Sequence, residues 1–285
     1  MNKLLKRIDD FQYNHRPIAF TVAVIRRYSQ NHAGTKAALI TYYMFMSLFP
    51  ILFLLSWASN WLNRYDSGVS NSLIHGATAY FPVLGQQLYK IAHSAHRSLL
   101  GMIIPGLIAV YGARGAAMAF RSIVNDIWEV PLKERDNFPS SWLRAIGIVL
   151  LGGGGFIVTA VAESWALAHG HGNIFRAVIT IISIALLAGV FLAILRLSLS
   201  KRVRVKKVMG GALSMALAFT LLQFVGAYLM THDLRHYTNT YTALFSTTLG
   251  LLAWIYLVSQ VLIYSLEITI VADRHHWPVR LEEHR

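Results

Sequence analysis

Long apolar stretches separated by alternately basic and weakly charged segments constrain this chain more than any other feature. The six stretches are Ala37–Trp61, Leu99–Phe120, Ala145–Ala168, Ala177–Leu195, Val208–Met230 and Tyr241–Leu266. A helix of roughly 20 apolar residues crosses a ~30 Å hydrocarbon core, and lipid offers no partner for unpaired backbone groups. No stretch alternates at period two over the ~10-residue units of membrane strands. The pattern therefore predicts an all-α polytopic membrane protein with six transmembrane helices.

The distribution of basic residues predicts the orientation of those helices. Twenty of the 26 Lys and Arg residues lie before the first stretch, after the second, after the fourth and after the sixth. Because Lys and Arg concentrate in cytoplasmic loops, both termini are expected in the cytoplasm. The predicted domains are a cytoplasmic tail over 1–36, a six-helix transmembrane domain over 37–271 and a cytoplasmic tail over 272–285.

The net charge of +13 raises the question of a nucleic-acid partner. The positive-inside distribution accounts for this charge, because it places basic side chains beside helix ends, where they meet anionic lipid. We therefore expect membrane lipids, anionic ones in particular, as partners, and no nucleic acid. The chain has no Cys, which excludes disulfides and thiolate metal sites.

The segment before the first stretch has its own pattern. Pro17 suits the first turn of a helix, and apolar residues alternate there with Arg26 and Arg27. This pattern fits a short amphipathic helix on the cytoplasmic membrane face. An ordinary lead-in helix that packs on the bundle fits equally well.

Small residues mark two of the predicted helices. Gly112–Ala117 and the four glycines Gly152–Gly155 would let neighbouring helices approach closely. The glycine run also allows an unwound midpoint, as in transporters with broken helices.

Three local strings resemble motifs of the YihY/BrkB family. They are Ala37–Pro50 in the first stretch, Ser122–Trp128 followed by Val130-Pro131, and Gly250–Tyr256 continuing to Ser265–Thr269. The last string carries Ser265-Leu266 where the family motif has Gly-Ala. The similarity runs from about residue 17 to residue 274.

The resemblance implies a six-helix, multi-pass protein of the bacterial inner membrane with a role in the cell envelope. Some members of the family are tied to export of envelope lipid, and others are called serum-resistance or virulence factors. An older family label, ribonuclease BN, is also in use.

Charged and polar residues within the apolar stretches are the candidate functional residues, since charge inside a membrane is costly. Arg114, Arg121 and Asn125 are spaced by seven and four, so they share one helix face. This face could bind an anionic headgroup or solute, because guanidinium binds phosphate in a bidentate way. The alternatives for Arg114 are snorkelling toward the interface and a structural pair with Glu267.

Other polar residues could complete such a site. Glu267 and Gln260 lie seven residues apart on one face of the last stretch, and Gln223 lies in the fifth. They could line a polar path, although ties between helices are the favoured interpretation. Glu163, near the outer end of the third stretch, is either a proton-coupling carboxylate or a solvated interfacial residue.

Seven of the twelve histidines fall in predicted external segments. The spacing of His93 with His96 and of His232 with His236 could hold a metal ion or sense external pH. No carboxylate or thiolate completes a site, so solvated loop histidines and no metal are expected. The seven are His75, His93, His96, His169, His171, His232 and His236.

The sequence gives little support for catalysis. It lacks a Walker-type phosphate loop, and Asp126, Glu129, Glu134 and Asp136 resemble a charged, solvated loop more than a two-metal nuclease site. We expect neither an enzyme nor a cofactor. The leading hypothesis is transport or translocation of an anionic lipid or solute through a polar cavity of the bundle. The alternative is a non-transporting scaffold with an envelope-machinery partner, and a homo-oligomer is possible in either case.

Overall fold

A computed structural model describes residues 16–62, 100–137, 139–169, 173–201, 203–232 and 240–274. Those residues form seven α-helices and contain no strand. A single 3-10 turn, Leu132–Glu134, lies between α3 and α4. The helices are α1 Arg16–Gln30, α2 Ala33–Leu62, α3 Leu100–Ile127, α4 Ser140–His169, α5 Asn173–Ser198, α6 Val205–His232 and α7 Thr240–Arg274.

The six predicted apolar stretches correspond to α2–α7, and each helix extends beyond the C-terminal end of its stretch. Five helices, α3–α7, are long and apolar enough to cross a membrane by length and composition. The side chains of α2 are described only as far as Leu48, so the sixth span and the inside position of both termini stay predictions. The sequence also predicts short helices over 70–79 and 85–98 in the first external loop, and these lie outside the described residues.

The helices pack in chain order. Each helix from α2 to α6 contacts the next one, and α7 returns to pack against α2. Between α4, α5 and α6, the rings of Phe156, Phe191 and Phe219 meet with centroids 5.6–6.2 Å apart. Aromatic edge-to-face packing of this kind fills the core of the bundle.

Large apolar side chains cover the outside of the bundle. Along α6, Met209, Leu213, Leu217 and Leu221 recur every four residues and are 46–65% exposed. Residues spaced in this way share one helix face. An exposed apolar stripe this long suits contact with lipid rather than water.

Glycine allows the closest helix contacts, as predicted for the second stretch. A Cβ on Gly112 would lie 2.7 Å from the Ser47 Cβ, and a Cβ on Gly115 would overlap the ring of Tyr43. These contacts set the spacing of α2 and α3.

The run Gly152–Gly155 does not interrupt α4, which is continuous from Ser140 to His169. The unwound midpoint considered from the sequence is therefore wrong. At Gly155 a Cβ would lie 2.5 Å from Val190 of α5, so this glycine permits a close contact. Helical hydrogen bonds persist through the run because lipid offers the backbone no other partner.

Helix α1 packs on the bundle. It contacts α7 and α2, and its residues Ala19, Ala23 and Val24 are buried, with Val271 of α7 in the same cluster. The sequence left open an interfacial helix or a packed lead-in, and the contacts show the packed one. Contact of its opposite face with the membrane surface stays a prediction.

Candidate functional site

The polar residues gather at one end of the bundle, which we call the basic end. There α2, α4 and α6 begin and α3, α5 and α7 end. The end of α3 organises it through a Schellman motif, in which Val130 N–H donates to Asn125 O and Glu129 N–H to Asp126 O. Glu129 adopts a left-handed conformation with φ of 55°. Pro131 follows and prevents the helix from continuing.

Arg27 joins three elements at the basic end. Its Nε lies 3.1 Å from Oε2 of Glu267 in α7, close enough for an ion pair although poorly aligned for a hydrogen bond. One terminal nitrogen donates to Glu129 Oε1 at 2.8 Å and to the Ile127 carbonyl at 3.3 Å. The Glu267 side chain is 0% exposed. A buried carboxylate needs such a partner, since removing an ion from water costs several kcal/mol.

Two further residues of α1 bind the same face of α7. Asn31 Nδ2 donates to Glu267 Oε1 at 2.6 Å, and the Tyr28 hydroxyl donates to Gln260 Oε1. The Tyr28 ring also stacks on Tyr264, with centroids 4.0 Å apart. Burial raises the pKa of Tyr28, with the hydrogen bond to Gln260 opposing it, so the hydroxyl remains a donor at neutral pH.

Arg121 is buried and bound within the protein. Its two terminal nitrogens donate to the Ser141 carbonyl of α4 and to Asp136 Oδ2, each at 2.8 Å. Asp136 Oδ2 also forms an ion pair with Arg144 Nη1 at 2.8 Å. Arg144 in turn donates to the Leu199 carbonyl at 3.1 Å, which extends the network to the end of α5.

Asn125 fastens α3 to the same connection. Its Nδ2 donates to the Ser198 carbonyl at 3.0 Å, and its Oδ1 accepts from the Ser200 N–H at 2.9 Å. Asn125 thus caps the C-terminal end of α5, where backbone carbonyls lack helical partners. The side chain is 3% exposed, and its described contacts are structural.

Every acidic side chain that the structure describes takes part in an ion pair. Asp126 pairs with Arg135 at 2.7 Å and with Lys36 at 3.7 Å, and Asp273 pairs with Lys207 at 2.8 Å. The acidic residues of the α3–α4 connection are therefore more engaged than the solvated loop expected from the sequence. Asp136, whose side chain is 17% exposed, departs furthest from that expectation.

Arg114 lies apart from Arg121 and Asn125, although all three share one face of α3. Arg121 and Asn125 are buried because the start of α4 and the α3–α4 connection cover this face. At Arg114 the face is exposed, and so are Val110 and Tyr111. No described residue forms an ion pair with Arg114. Its expected partner Glu267 is bound by α1 instead.

The remaining candidates are placed only in part. Gln223 is half-buried in α6, whereas the side chain of Glu163 lies outside the described residues. The same holds for all seven external histidines, so the metal and pH hypotheses at His93, His96, His232 and His236 stay untested. Among the described side chains, no group of three or more His, Asp or Glu could hold a metal ion.

Sequence reasoning missed Arg27, Asn31, Asp136 and Arg144. Arg27 and Asn31 are four residues apart and share a helix face, which was a usable signal. Asp136 lies in a loop of mixed charge, and the sequence of that loop does not show which acidic residue will be buried and paired with two arginines.

Comparison with known proteins identifies the family. Neither the curated proteins nor the solved structures include a match to this chain. A family profile described as Virulence factor BrkB matches residues 24–284, which is nearly the whole chain and includes the helix ends that form the basic end. The chain therefore belongs to the BrkB virulence factor family of membrane proteins.

Proposed function

We propose that this protein is an envelope protein of the bacterial inner membrane that translocates an anionic lipid or solute, with Arg114 as its anion-binding residue. The observation that carries the proposal is the exposed guanidinium of Arg114, which has no ion-pair partner among the described residues. Family membership and the long apolar helices support the membrane setting.

The depth of Arg114 makes this exposure costly. Arg114 is in the middle of the 28-residue helix α3, roughly 20 Å from either end at 1.5 Å per residue. An arginine at the centre of a membrane-spanning helix costs about 2.5–3.5 kcal/mol on insertion scales, and such residues mark substrate pathways by default. A phosphate bound in a bidentate way would offset this cost.

The site differs from the three-residue face expected from the sequence. Arg121 donates to Asp136 and Ser141, and Asn125 caps α5, so neither offers its polar atoms to a ligand. In this proposal Arg114 alone binds the anion, and Arg121 and Asn125 hold the adjoining end of α3. The ligand would reach Arg114 along the part of the α3 face that α4 leaves uncovered.

Transport can be tested in proteoliposomes that contain fluorescent phosphatidylglycerol in one leaflet, with a parallel arm for a soluble organic phosphate. We expect the wild-type protein to accelerate movement of one of these probes. Arg114→Gln should lower the rate about tenfold or more, and Arg114→Lys should retain part of it because the charge remains. Lys133→Gln is the matched control, since it removes an exposed charge far from Arg114.

Wild-type vesicles that match empty ones would reject transport, and Arg114→Gln vesicles that match active wild-type vesicles would reject Arg114 as the anion-binding residue. The alternative function is a membrane scaffold for an envelope machine. It is favoured by the dense ion pairing of the basic end, which suits a rigid element. A scaffold would leave both probes unmoved, while Arg114→Gln would still restore envelope integrity to a deletion strain.

A further inference from the structure

The connection between α5 and α6 carries an unneutralised cluster of basic side chains. We define the α5–α6 basic patch as Arg196, Lys201, Arg204 and Lys206, all of which are exposed. Among the described residues it forms one ion pair, which joins Lys201 to Glu134 at 3.8 Å, with side chains 64% and 52% exposed. A surface pair of this kind contributes little, so the patch keeps nearly its full positive charge.

The other acidic residues of the basic end are used elsewhere. Asp126, Asp136 and Asp273 pair with arginines or lysines outside the patch. Repulsion among four neighbouring cations is unfavourable unless an external anion is present. No other acidic side chain in the part of the chain that the structure describes pairs with the patch, so its charge favours a negatively charged partner.

The position of the patch identifies that partner. Lys206 precedes Met209 by one helical turn, and Met209 begins the exposed apolar stripe of α6. On α5, Ile182, Gly189 and Arg196 are all exposed and lie seven residues apart on one face. The apolar stripe of α6 thus ends at Lys206, and an exposed face of α5 ends at Arg196. In a bilayer that covers the α6 stripe, this end is where acyl chains would give way to phosphate headgroups.

We propose that the α5–α6 basic patch binds anionic phospholipid headgroups of the adjacent leaflet. Arginine contributes paired donors for a phosphate, and lysine contributes a point charge. The apolar stripe of α6 would contact the acyl chains of the same lipids. This proposal does not depend on transport through Arg114, which is a separate site on α3.

Nucleic acid is the competing partner that the net charge suggests. It would bind basic residues without needing an apolar stripe within one turn of them. In the membrane, lipids already lie beside Met209 and reach the patch without diffusing from solution. Binding a nucleic acid would instead require the ordering of a large polymer. The geometry thus favours lipid.

The experiment uses the full-length protein in nanodiscs and measures the relative affinity for spin-labelled phosphatidylglycerol over phosphatidylcholine by electron paramagnetic resonance. We expect a clear preference for phosphatidylglycerol in the wild type. The preference should fall by roughly fivefold or more when all four patch residues are changed to Gln, because each basic residue at an anionic surface adds to the attraction. It should also fall in 1 M salt, where the Debye length is about 3 Å.

Two control variants distinguish an effect of the patch itself from an effect of the protein's overall charge or of misfolding. The variant Arg196→Lys/Lys201→Arg/Arg204→Lys/Lys206→Arg keeps the charge and should retain most of the preference. Lys133→Gln removes one charge from a connection rich in acidic residues, and it should change the preference less than Lys206→Gln does. Thermal unfolding of each variant verifies that the bundle is intact.

Three results would overturn the proposal. One is a preference for phosphatidylglycerol that survives the fourfold change to Gln. Another is an equal loss from Lys133→Gln and Lys206→Gln, which would show only general surface charge. The third is a short oligoribonucleotide that binds the nanodisc-embedded protein through the patch while lipid preference is absent.

Discussion

Arg27 Nε lies 3.1 Å from Glu267 Oε2, and this pair joins the first helix to the last one. The carboxylate is fully buried, and Asn31 supplies its second described contact from the same helix. Residues separated by the whole transmembrane region thus depend on each other. Helix α1 is consequently an integral part of the bundle.

Arg27→Gln should destabilise the protein strongly. It leaves the buried carboxylate of Glu267 without its ion-pair partner, and breaking a buried pair in this way costs about 3–5 kcal/mol. The double variant Arg27→Gln/Glu267→Gln removes both charges and should recover a large part of that loss. The free energy of unfolding in mixed micelles measures both. A double variant no more stable than Arg27→Gln would contradict the pairing.

Asp136→Asn should also destabilise the protein, because Asp136 Oδ2 forms ion pairs with both Arg121 and Arg144. Arg121 is 5% exposed, and it would be left with a buried, uncompensated charge. We expect a loss of about 3 kcal/mol. The control is Glu134→Gln in the same connection, whose exposed pair with Lys201 contributes less than about 1 kcal/mol. Equal losses would mean that Asp136 is not a hub.

Gly115→Ala should weaken the packing of α2 on α3. The added Cβ overlaps the ring of Tyr43, and overpacking typically costs about 1–3 kcal/mol. Gly153→Ala is the matched control in α4, where a Cβ would meet nothing within 4 Å. There the higher helix propensity of alanine should leave stability unchanged or raise it by up to about 1 kcal/mol. Thermal unfolding of the two variants side by side tests the contact.

The six-helix topology can be tested with single cysteines, because the chain has none of its own. Ser72→Cys, in the first predicted external loop, should react with a membrane-impermeant maleimide in intact spheroplasts. Lys133→Cys, at the basic end, should react only after permeabilisation. Labelling of Lys133→Cys in intact cells would reverse the predicted orientation, and labelling of both would reject the six-span arrangement.

The helices could be predicted from the sequence because their formation depends on the local run of apolar residues. A run such as Ala145–Ala168 must be helical in lipid whatever its neighbours are, and α4 covers that run fully. Helix α3 ends at Ile127, shortly before Val130-Pro131, because a proline cannot continue the helix. The face shared by Arg114, Arg121 and Asn125 was also correct as helix geometry.

The partners of those residues could not be predicted in the same way. Helix periodicity places Arg121 and Arg114 on one face, but only the approach of α4 decides that one is buried and the other exposed. In the same way, Glu267 was expected to find an arginine, yet its partner comes from α1 and not α3.

The sequence by itself determined the class of the protein, the positions of its apolar helices and the segments that carry its positive charge. These properties follow from the solvent, since each apolar run must satisfy its own backbone within the membrane. Tertiary structure alone decided which charges are neutralised inside the protein and which remain available. Arg27 and Arg121 became internal ties, whereas Arg114 and the α5–α6 basic patch did not, because ion pairs form between side chains that packing brings within about 3 Å.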